Sequence, residues 1–326
     1  MKKLLSLILA LALLAALPLL TACNKVDTDL SIRVWTLNGT TGFGMAQLID
    51  ADKNGTATLN YEFTVETAAT NVTDALKNGT ADIAALPTNA ASALYNATSG
   101  EIVLLALNTK GVLYLVANTS KVTAPTSLAD LAGKTVYTPA QNPYFITKAL
   151  IDKAGLGESI TLDATSYAEP AALQAAVAAG LVDYAILPEP MVTIATSSAA
   201  EGVTLTSALD ITTEWDKSFT PGSLVQGCVV ARKAFVDEHP NEVNKFLEEY
   251  EASINYVIAH PTEASTMIAD AGIFARAAVA ERAIPKCNLC FIKGSDMKTA
   301  MSAFLAAMPI NSIGGALPAD PFYYGA

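Results

Sequence analysis

Few side chains in this 326-residue chain have the type and spacing that catalytic chemistry requires. The two histidines, His239 and His260, each precede a proline, which is typical of a helix boundary. No serine lies in a G-x-S-x-G nucleophile elbow. Because an enzyme needs a nucleophile or an acid–base group with a tuned pKa, the sequence favours a protein that binds without catalysing a reaction.

The first residues have the layout of a secretory signal peptide. Met1-Lys2-Lys3 is positively charged, residues 4–20 are almost entirely apolar, and the run ends in Leu20-Thr21-Ala22-Cys23. A transmembrane helix is the alternative, but Pro18 interrupts the run and no basic cluster follows it. The pattern therefore predicts export.

Leu20-Thr21-Ala22-Cys23 resembles the bacterial lipobox, in which the cysteine receives a diacylglycerol and becomes the first residue of the mature protein. This resemblance predicts a signal peptide over residues 1–22, lipidation at Cys23 and a polar tether over residues 23–30. We expect an exported protein that is lipid-anchored to the outer face of the cytoplasmic membrane.

The spacing of Cys287 and Cys290, C-x-x-C, is compatible with a redox pair, half of a zinc site or a local disulfide. A zinc site needs two further ligands, and apart from carboxylates only Cys228 and the two histidines could supply them. We expect two semi-buried cysteines at the start of a strand, with a disulfide as the alternative. No metal and no cofactor is expected.

Charge and length narrow the class of protein further. The chain has 20 Lys and Arg against 31 Asp and Glu, with no basic cluster, so nucleic acid is an unfavourable partner. A mature part of about 300 residues is more than one core usually holds, which suits two lobes of ordinary size.

Short apolar strands alternate with helical patterns, which is typical of mostly parallel sheets covered by helices. The pattern first predicts strands at residues 31–37, 59–65, 83–86 and 102–107, with helices around residues 45–49, 72–76 and 90–94. It restarts with strands at residues 134–137, 160–163 and 183–187 and a helix over residues 142–154. We therefore predict an α/β fold made of two units in series.

An internal repeat supports two units of one plan. Ala75-Leu76-x-x-Gly79-x-x-Asp82-x-Ala84-x-Leu86-Pro87 recurs 101 residues later as Ala176-Val177-x-x-Gly180-x-x-Asp183-x-Ala185-x-Leu187-Pro188. In each copy the glycine should end a helix, the aspartate should start a strand and the proline should stop it. Ligands of open α/β sheets bind beyond the carboxyl ends of the strands, so two such lobes facing each other predict a shared cleft.

Four segments carry a specific resemblance: Leu37-Asn38-Gly39-Thr40-Thr41-Gly42-Phe43-Gly44-Met45, Asp82-Ile-Ala-Ala-Leu-Pro-Thr-Asn89, Leu187-Pro188-Glu189-Pro190 and Gly227-Cys-Val-Val-Ala-Arg-Lys-Ala-Phe235. In this order they resemble the type II periplasmic-binding-protein family. The most similar branch contains the substrate-binding lipoproteins of ABC transporters for nitrate, sulfonates, taurine and thiamine-pyrimidine precursors. The resemblance covers nearly the whole chain from Ser31.

The resemblance implies two lobes, each a mostly parallel sheet flanked by helices, joined by hinge strands near residues 112–117 and 226–230. Residues 31–115 would form the first part of lobe 1, residues 116–226 lobe 2, and residues 227–326 the returning part of lobe 1. The implied partners are a small-molecule ligand, an ABC permease and its ATPase, with the binding protein itself a monomer.

The loops at the strand ends supply the predicted ligand-binding residues. In lobe 1, a glycine-rich loop between a strand and a helix would present Asn38, Thr40, Thr41 and Gly42 to the ligand. The alternative for these residues is an ordinary strand-to-helix turn. The loop before the helix at residue 142 would add Gln141, Asn142 and Tyr144 to the site. Asn142 would cap that helix, with Pro143 at its first position.

The repeat places Thr88 and Asn89 after one strand and Glu189 after the equivalent strand, on opposite walls of the cleft. We expect Glu189 to line the cleft within reach of solvent and ligand, with a solvated loop carboxylate as the alternative. Gln226, in the second hinge strand, completes the predicted site.

Helix ends and hydroxyls favour an anion or an amide oxygen, whereas Glu189 favours an amine, an amidine or a protonated ring nitrogen. Taurine-like aminosulfonates and aminopyrimidines have both features. The alternatives to a transport protein are an enzyme on the same fold, of the pyrimidine or menaquinone-pathway type, and a sensory binding domain.

Overall fold

The computed structural model describes residues 26–326. The predicted signal peptide, residues 1–22, and the predicted lipidation site Cys23 lie outside the described residues. Between residues 26 and 326, no helix is both long enough and apolar enough to cross a membrane.

Strands and helices alternate along the described chain. In order, the strands are β1 (Ser31–Leu37), β2 (Asn60–Glu66), β3 (Ile83–Pro87), β4 (Ile102–Lys110), β5 (Leu113–Asn118), β6 (Thr135–Tyr137), β7 (Thr161–Asp163), β8 (Tyr184–Pro188), β9 (Leu205–Asp210), β10 (Val225–Arg232) and β11 (Leu289–Ile292). The helices are α1 (Thr40–Phe43), α2 (Ala46–Lys53), α3 (Ala69–Asn78), α4 (Thr88–Ala97), α5 (Asn142–Lys153), α6 (Pro170–Ala178), α7 (Met191–Ser197), α8 (Ile211–Ser218), α9 (Lys233–Glu238), α10 (Pro240–Ala259), α11 (Pro261–Asp270), α12 (Ala277–Ala283) and α13 (Gly294–Ala307). Short 3₁₀ helices occupy Leu128–Leu131, Ile284–Lys286, Ile310–Ile313 and Asp320–Phe322.

Two sheets organise these elements. The first has the order β2-β1-β3-β10-β4-β11, with β2, β1 and β3 parallel and β10 antiparallel to both of its neighbours. The second has the order β7-β6-β8-β5-β9, with β7, β6 and β8 parallel and β5 antiparallel to both of its neighbours. The prediction of an α/β fold with two mostly parallel, helix-flanked sheets is confirmed.

The chain crosses between the sheets at the two predicted places. After β4 it passes through Gly111 and Val112 and enters the second sheet as β5; after β9 and α8 it returns to the first sheet as β10. The strand that follows each crossing, β5 in the second sheet and β10 in the first, is antiparallel to both of its neighbours. We call the part of the protein built on the first sheet lobe 1 and the part built on the second sheet lobe 2. The residue boundaries of the lobes given above stay a prediction.

The repeat occupies equivalent positions in the two sheets. β3 lies between a parallel neighbour, β1, and the crossing strand β10, just as β8 lies between β6 and the crossing strand β5. Gly79, with a φ of 79°, ends α3, and Gly180, with a φ of 71°, follows α6. Pro87 and Pro188 are the last residues of their strands, as the sequence predicts.

Strands in the middle of the first sheet are apolar on both faces because helices cover both faces. In β3, Ile83 and Ala85 pack into a core with α10, whereas Ala84 and Leu86 pack into the core on the opposite face. The latter core continues into lobe 2, where the ring of Trp215 in α8 lies 6.0 Å from that of Phe304 in α13. The lobes therefore share apolar packing on the side of the crossings.

The predicted tether ends earlier than residue 30. Val26 and Leu30 pack against the core of lobe 1, and the main-chain amide of Asp27 donates to the carboxylate of Glu242, 2.7 Å away. Residues 26–30 of the predicted tether therefore contact lobe 1, because two apolar side chains in this short segment pack against its core.

Candidate functional site

A cavity of about 300 Å³ lies between the loops that follow β1 in lobe 1 and β8 in lobe 2. Its walls are residues 38–41 from the first loop and residues 188–191 from the second, with Val112 of the first crossing, Pro170 and Phe274 completing them. Larger depressions of about 500 Å³ each lie on one lobe alone, two of them at Tyr184, the amino end of β8. The cavity between the lobes is the candidate site, because it lies at the carboxyl ends of strands, where open α/β sheets bind ligands.

The loop after β1 has a backbone that needs glycine at two positions. Gly39 has φ 79° and ψ −160°, a region open essentially to glycine alone. A Cβ on Gly42 would lie 2.1 Å from the main-chain oxygen of Leu37 and 2.9 Å from Ile273. Gly42 therefore packs closely against Leu37 and Ile273. Its position does not support the expectation that it contacts the ligand.

Thr40 joins the two walls of the cavity. Its hydroxyl donates to the main-chain oxygen of Glu189, 2.8 Å away, and this contact links lobe 1 to lobe 2. Asn38 is exposed and Thr41 is half-buried at the rim of the same cavity. Neither side chain makes a hydrogen bond within residues 26–326, so both are available to a ligand.

Glu189 is among the lining residues of the cavity, but its side chain has no exposed surface. One carboxylate oxygen accepts from the main-chain amide of Thr193 in the first turn of α7, at 3.1 Å. The other, Oε1, has no hydrogen-bond partner in the described protein and lies 4.0 Å from Nζ of Lys286. Burial raises the pKa of Glu189.

The expectation that solvent and ligand reach the carboxylate of Glu189 is therefore corrected. The side chain is buried at the junction of the lobes, where the amide of Thr193 at the start of α7 supplies one hydrogen bond. The alternative of a solvated loop carboxylate is excluded by the same burial.

Thr88, at the start of α4, and Gln226, in β10, are not among the residues that line the cavity. The hydroxyl of Thr88 donates to the main-chain oxygen of Val225 at 2.8 Å, and Oε1 of Gln226 accepts from the main-chain amide of Val112 at 2.7 Å. The hydroxyl proton of Thr88 and Oε1 of Gln226 are therefore used in buried bonds. Their predicted contact with a ligand has no support in this arrangement.

The other predicted residues lie at the starts of α4 and α5, outside the lining of the cavity. Gln141 is exposed and occupies the N-cap position with a φ of 65°, so Asn142 is the first residue of the helix and Pro143 the second. The expected capping role of Asn142 is therefore wrong. Tyr144 is half-buried and packs edge-on against Phe145.

Asn89 and Asn142 nevertheless have a feature in common. The side-chain oxygen of each is buried without a hydrogen-bond partner in the described protein. A buried polar atom without a partner costs free energy, so such an oxygen is a candidate acceptor for a bound molecule or water. Both helices begin at carboxyl ends of strands, β3 for Asn89 and β6 for Asn142.

Sequence reasoning missed the apolar part of the cavity. Phe274, Met191 and Val112 lie far apart in the chain and no motif marks them. Lys286, which ends a 3₁₀ helix beside Glu189, was also missed. The C-x-x-C spacing of Cys287 and Cys290, which begins directly after Lys286, was the one sequence signal near this segment.

The three cysteines of the described chain, Cys228, Cys287 and Cys290, are free thiols. Cys290 is half-buried within β11, as expected, whereas Cys287, just before this strand, is fully buried. Burial raises the pKa of all three thiols, to about 12 for Cys290. Among residues 26–326, no group of three or more His, Cys, Asp and Glu side chains could hold a metal ion.

The crystal structure of an ABC transporter protein from Parabacteroides distasonis has a TM-score of 0.76 at 23% identity, over 91% of this chain and 99% of the other. The periplasmic aliphatic sulphonate binding protein SsuA from Escherichia coli has a TM-score of 0.67 at 13% identity, over 85% of each chain. The periplasmic nitrate-binding protein NrtA from Synechocystis has a TM-score of 0.52 at 14% identity, over 73% of this chain and 65% of the other. These likenesses establish the type II periplasmic-binding-protein fold.

No curated protein matches the sequence. The family described as "NMT1/THI5 like" matches residues 55–264, which is more than half of the chain and includes β8 and the loop that follows it on the lobe 2 side of the cavity. The chain therefore belongs to the NMT1/THI5-like family.

Proposed function

We propose that this chain is the extracytoplasmic solute-binding protein of an ABC importer, which captures a small polar organic molecule between its lobes and delivers it to a membrane permease. The observation that carries the proposal is the cavity at the carboxyl ends of β1 and β8, closed over by the Thr40–Glu189 contact between the lobes. The similar structures named above as sulphonate-binding and nitrate-binding proteins support the same role.

The lining of the cavity bears on the class of ligand. A volume of about 300 Å³ is at the small end of ligand pockets. Asn38 and Thr41 offer neutral polar groups, Phe274 and Met191 offer apolar surface, and no lysine or arginine is among the lining residues of the described chain. A flat, amino-substituted ring of the aminopyrimidine type fits this lining better than a sulfonate, which would have only neutral donors. Sulfonates and taurine-like molecules remain the second class to test.

A binding role without catalysis is part of the proposal. The carboxylate of Glu189, the acidic residue among those lining the cavity, has no exposed surface, and burial raises its pKa. The thiol of Cys287 is buried and its pKa is raised as well, so it is not a ready nucleophile. Mass spectrometry of the molecule released after binding should return it chemically unchanged; a turned-over product would favour an enzyme.

The ligand class is tested by a thermal-shift screen of the purified mature protein against pyrimidines, sulfonates, amines and amino acids. A ligand at one hundred times its Kd should add about 2.7 kcal/mol to the free energy of unfolding, because it binds only the folded state. Stabilisation by amino-substituted pyrimidines but not by sulfonates would support the preferred class. Stabilisation by none of these molecules would count against the proposed function.

We also propose that the protein is a monomer anchored through a lipid on Cys23 and that its partners are an ABC permease and its ATPase. Replacing Cys23 with Ser should release the protein from the membrane fraction or leave its precursor unprocessed. Deleting the gene should abolish uptake of the ligand found in the screen. Normal uptake in the deletion strain would instead favour a sensory binding domain.

A further inference from the structure

The side chain of Glu189 is buried at the junction of the two lobes. It follows β8 of lobe 2, and the groups around it come from both lobes. Thr193 of α7 belongs to lobe 2, whereas Thr40 and Lys286 belong to lobe 1. The carboxylate has no exposed surface, yet its Oε1 accepts no hydrogen bond in the described protein. An ionised carboxylate in this position is stabilised across the junction by one cation, Nζ of Lys286, 4.0 Å away.

The contacts around Glu189 lie on the side of the lobes that can separate. On the side of the crossings, the lobes share a continuous apolar core and the Trp215–Phe304 contact. Near the cavity, α12 of lobe 1 packs against α7 of lobe 2, and two polar contacts also join the lobes: Thr40 with the main chain of Glu189, and the hydroxyl of Tyr114 with the main-chain oxygen of Lys286, both at 2.8 Å. Water can replace such polar contacts at small cost, so rotation of the lobes about the crossings would open this side first.

We propose that Glu189, Lys286 and Thr40 form a latch between the lobes, which holds the ligand-free cleft closed more strongly as the pH falls. The latch rests on the proposed function in one respect: opening of the cleft would admit the ligand.

The sign of the pH dependence follows from what surrounds the carboxylate. Burial raises the pKa of Glu189 in the closed protein, while the amide of Thr193 and the ammonium of Lys286 act to lower it. Opening would give the carboxylate water, and its pKa would return toward the ordinary value of about 4.3. The contribution of protonated Glu189 to closure is therefore complete below the ordinary pKa. It is lost as the pH rises through the raised pKa of the closed form.

The other titratable groups facing Glu189 do not change charge in the same range. They are the thiol of Cys287 from lobe 1 and the hydroxyl of Tyr114 from β5, and burial raises the pKa of each. The ratio of closed to open protein differs between the low-pH and the high-pH limit. It differs tenfold for each pH unit by which closure raises the pKa of Glu189.

The test measures the distance between the lobes in the ligand-free mature protein. Spin labels are attached to cysteines introduced at Thr70 and Ala168, two exposed residues that follow β2 and β7 on the cleft side of lobes 1 and 2. Cys290, the half-buried native thiol, is replaced by Ser in every variant. Between about pH 4 and about pH 8 the label distance should lengthen in this background.

Two variants identify the groups responsible. Glu189→Gln removes the titrating group, so the distance should stay short and independent of pH. Lys286→Met removes the opposing cation but keeps a chain of similar length, so the protein should open further at about pH 8 and match the parent at about pH 4. Lys293→Met is the matched control, because the Lys293 ammonium lies 4.0 Å from the carboxylate of Glu251 within lobe 1; this variant should behave as the parent.

A label distance in the parent that does not change with pH would overturn the latch, as would an unchanged pH response in Glu189→Gln. If Glu189→Gln does not fold, Lys286→Met decides alone, because its side chain is half-exposed. Failure of the thermal-shift screen would remove the proposed function without touching this result, since no ligand is present here.

Discussion

The main-chain amide of Val112 donates a hydrogen bond to the side-chain oxygen of Gln226, 2.7 Å away, and both residues are buried. Val112 lies in the first crossing between the sheets and Gln226 in the strand that forms the second. This bond therefore ties the two connections between the lobes to each other. Gly111, beside Val112, has room for no side chain, because a Cβ there would lie 2.2 Å from the hydroxyl oxygen of Thr212.

We expect Gln226→Leu to lower the free energy of unfolding by about 1–3 kcal/mol, because it leaves the buried amide of Val112 without an acceptor. Denaturant unfolding measures this change. The control is Gln174→Leu, the same substitution at a partly exposed glutamine within α6, which should change stability by less than about 0.5 kcal/mol. Equal effects of the two substitutions would contradict a structural role for the Val112–Gln226 bond.

The aspartates of the repeat should differ in their effect on stability. Burial acts to raise the pKa of Asp82, but hydrogen bonds from Arg33 and Arg232 outweigh it and hold the pKa below its ordinary value. Asp82→Asn should cost about 1–3 kcal/mol at neutral pH, less than a fully buried ion pair because both arginines are partly exposed. Asp183→Asn, at the exposed equivalent position, is the control and should have little effect.

The stability difference between Asp82→Asn and the parent should depend on pH. A carboxyl group with a lowered pKa stabilises the folded protein above its ordinary pKa, and the contribution is lost as the pH falls through the folded value. Unfolding free energies should therefore converge in strong acid. A difference that is constant from neutral to acid pH would show that packing, not the ion pairs, accounts for the loss.

Thr41→Val should weaken binding of the ligand identified by thermal shift. The substitution keeps the shape of the side chain but removes a hydroxyl at the cavity, which is worth about 0.5–1.5 kcal/mol, or up to about tenfold in Kd. Calorimetry compares this variant with Thr161→Val, a control at an exposed threonine of β7 away from the cavity. An unchanged Kd in Thr41→Val would remove Thr41 from the site.

The thiols of the native protein should react slowly with iodoacetamide at neutral pH. Cys228 and Cys287 are buried, and the pKa of Cys290 is raised to about 12, so little thiolate is present. Mass spectrometry should detect three alkylated cysteines beyond residue 25 after unfolding without reductant, and slow labelling of Cys290 alone before it. Protection of Cys287 and Cys290 in the unfolded protein until reductant is added would indicate a disulfide.

Much of the fold could be predicted from local sequence. Strand β1 occupies the predicted residues, and the other predicted strands begin within one residue of their observed starts, because apolar runs bounded by glycine and proline define strands locally. The repeat predicted equivalent strands in two sheets for the same reason. Helix α5 begins at the predicted residue, yet its capping residue is Gln141, since the backbone entering the helix is set by the turn before it.

What the sequence by itself determined is the order of the elements, the two-lobed plan and the loops that meet at the cleft, because periodicity and turn residues act over a few neighbours. The tertiary structure alone decided which polar groups of those loops are free. Thr40 bonds to Glu189 across 149 residues, and Thr88 to Val225 across 137. A hydroxyl, an amide or a carboxylate at a strand end can serve either a ligand or the protein itself. Which of the two it serves depends on donors and acceptors that only folding brings within reach.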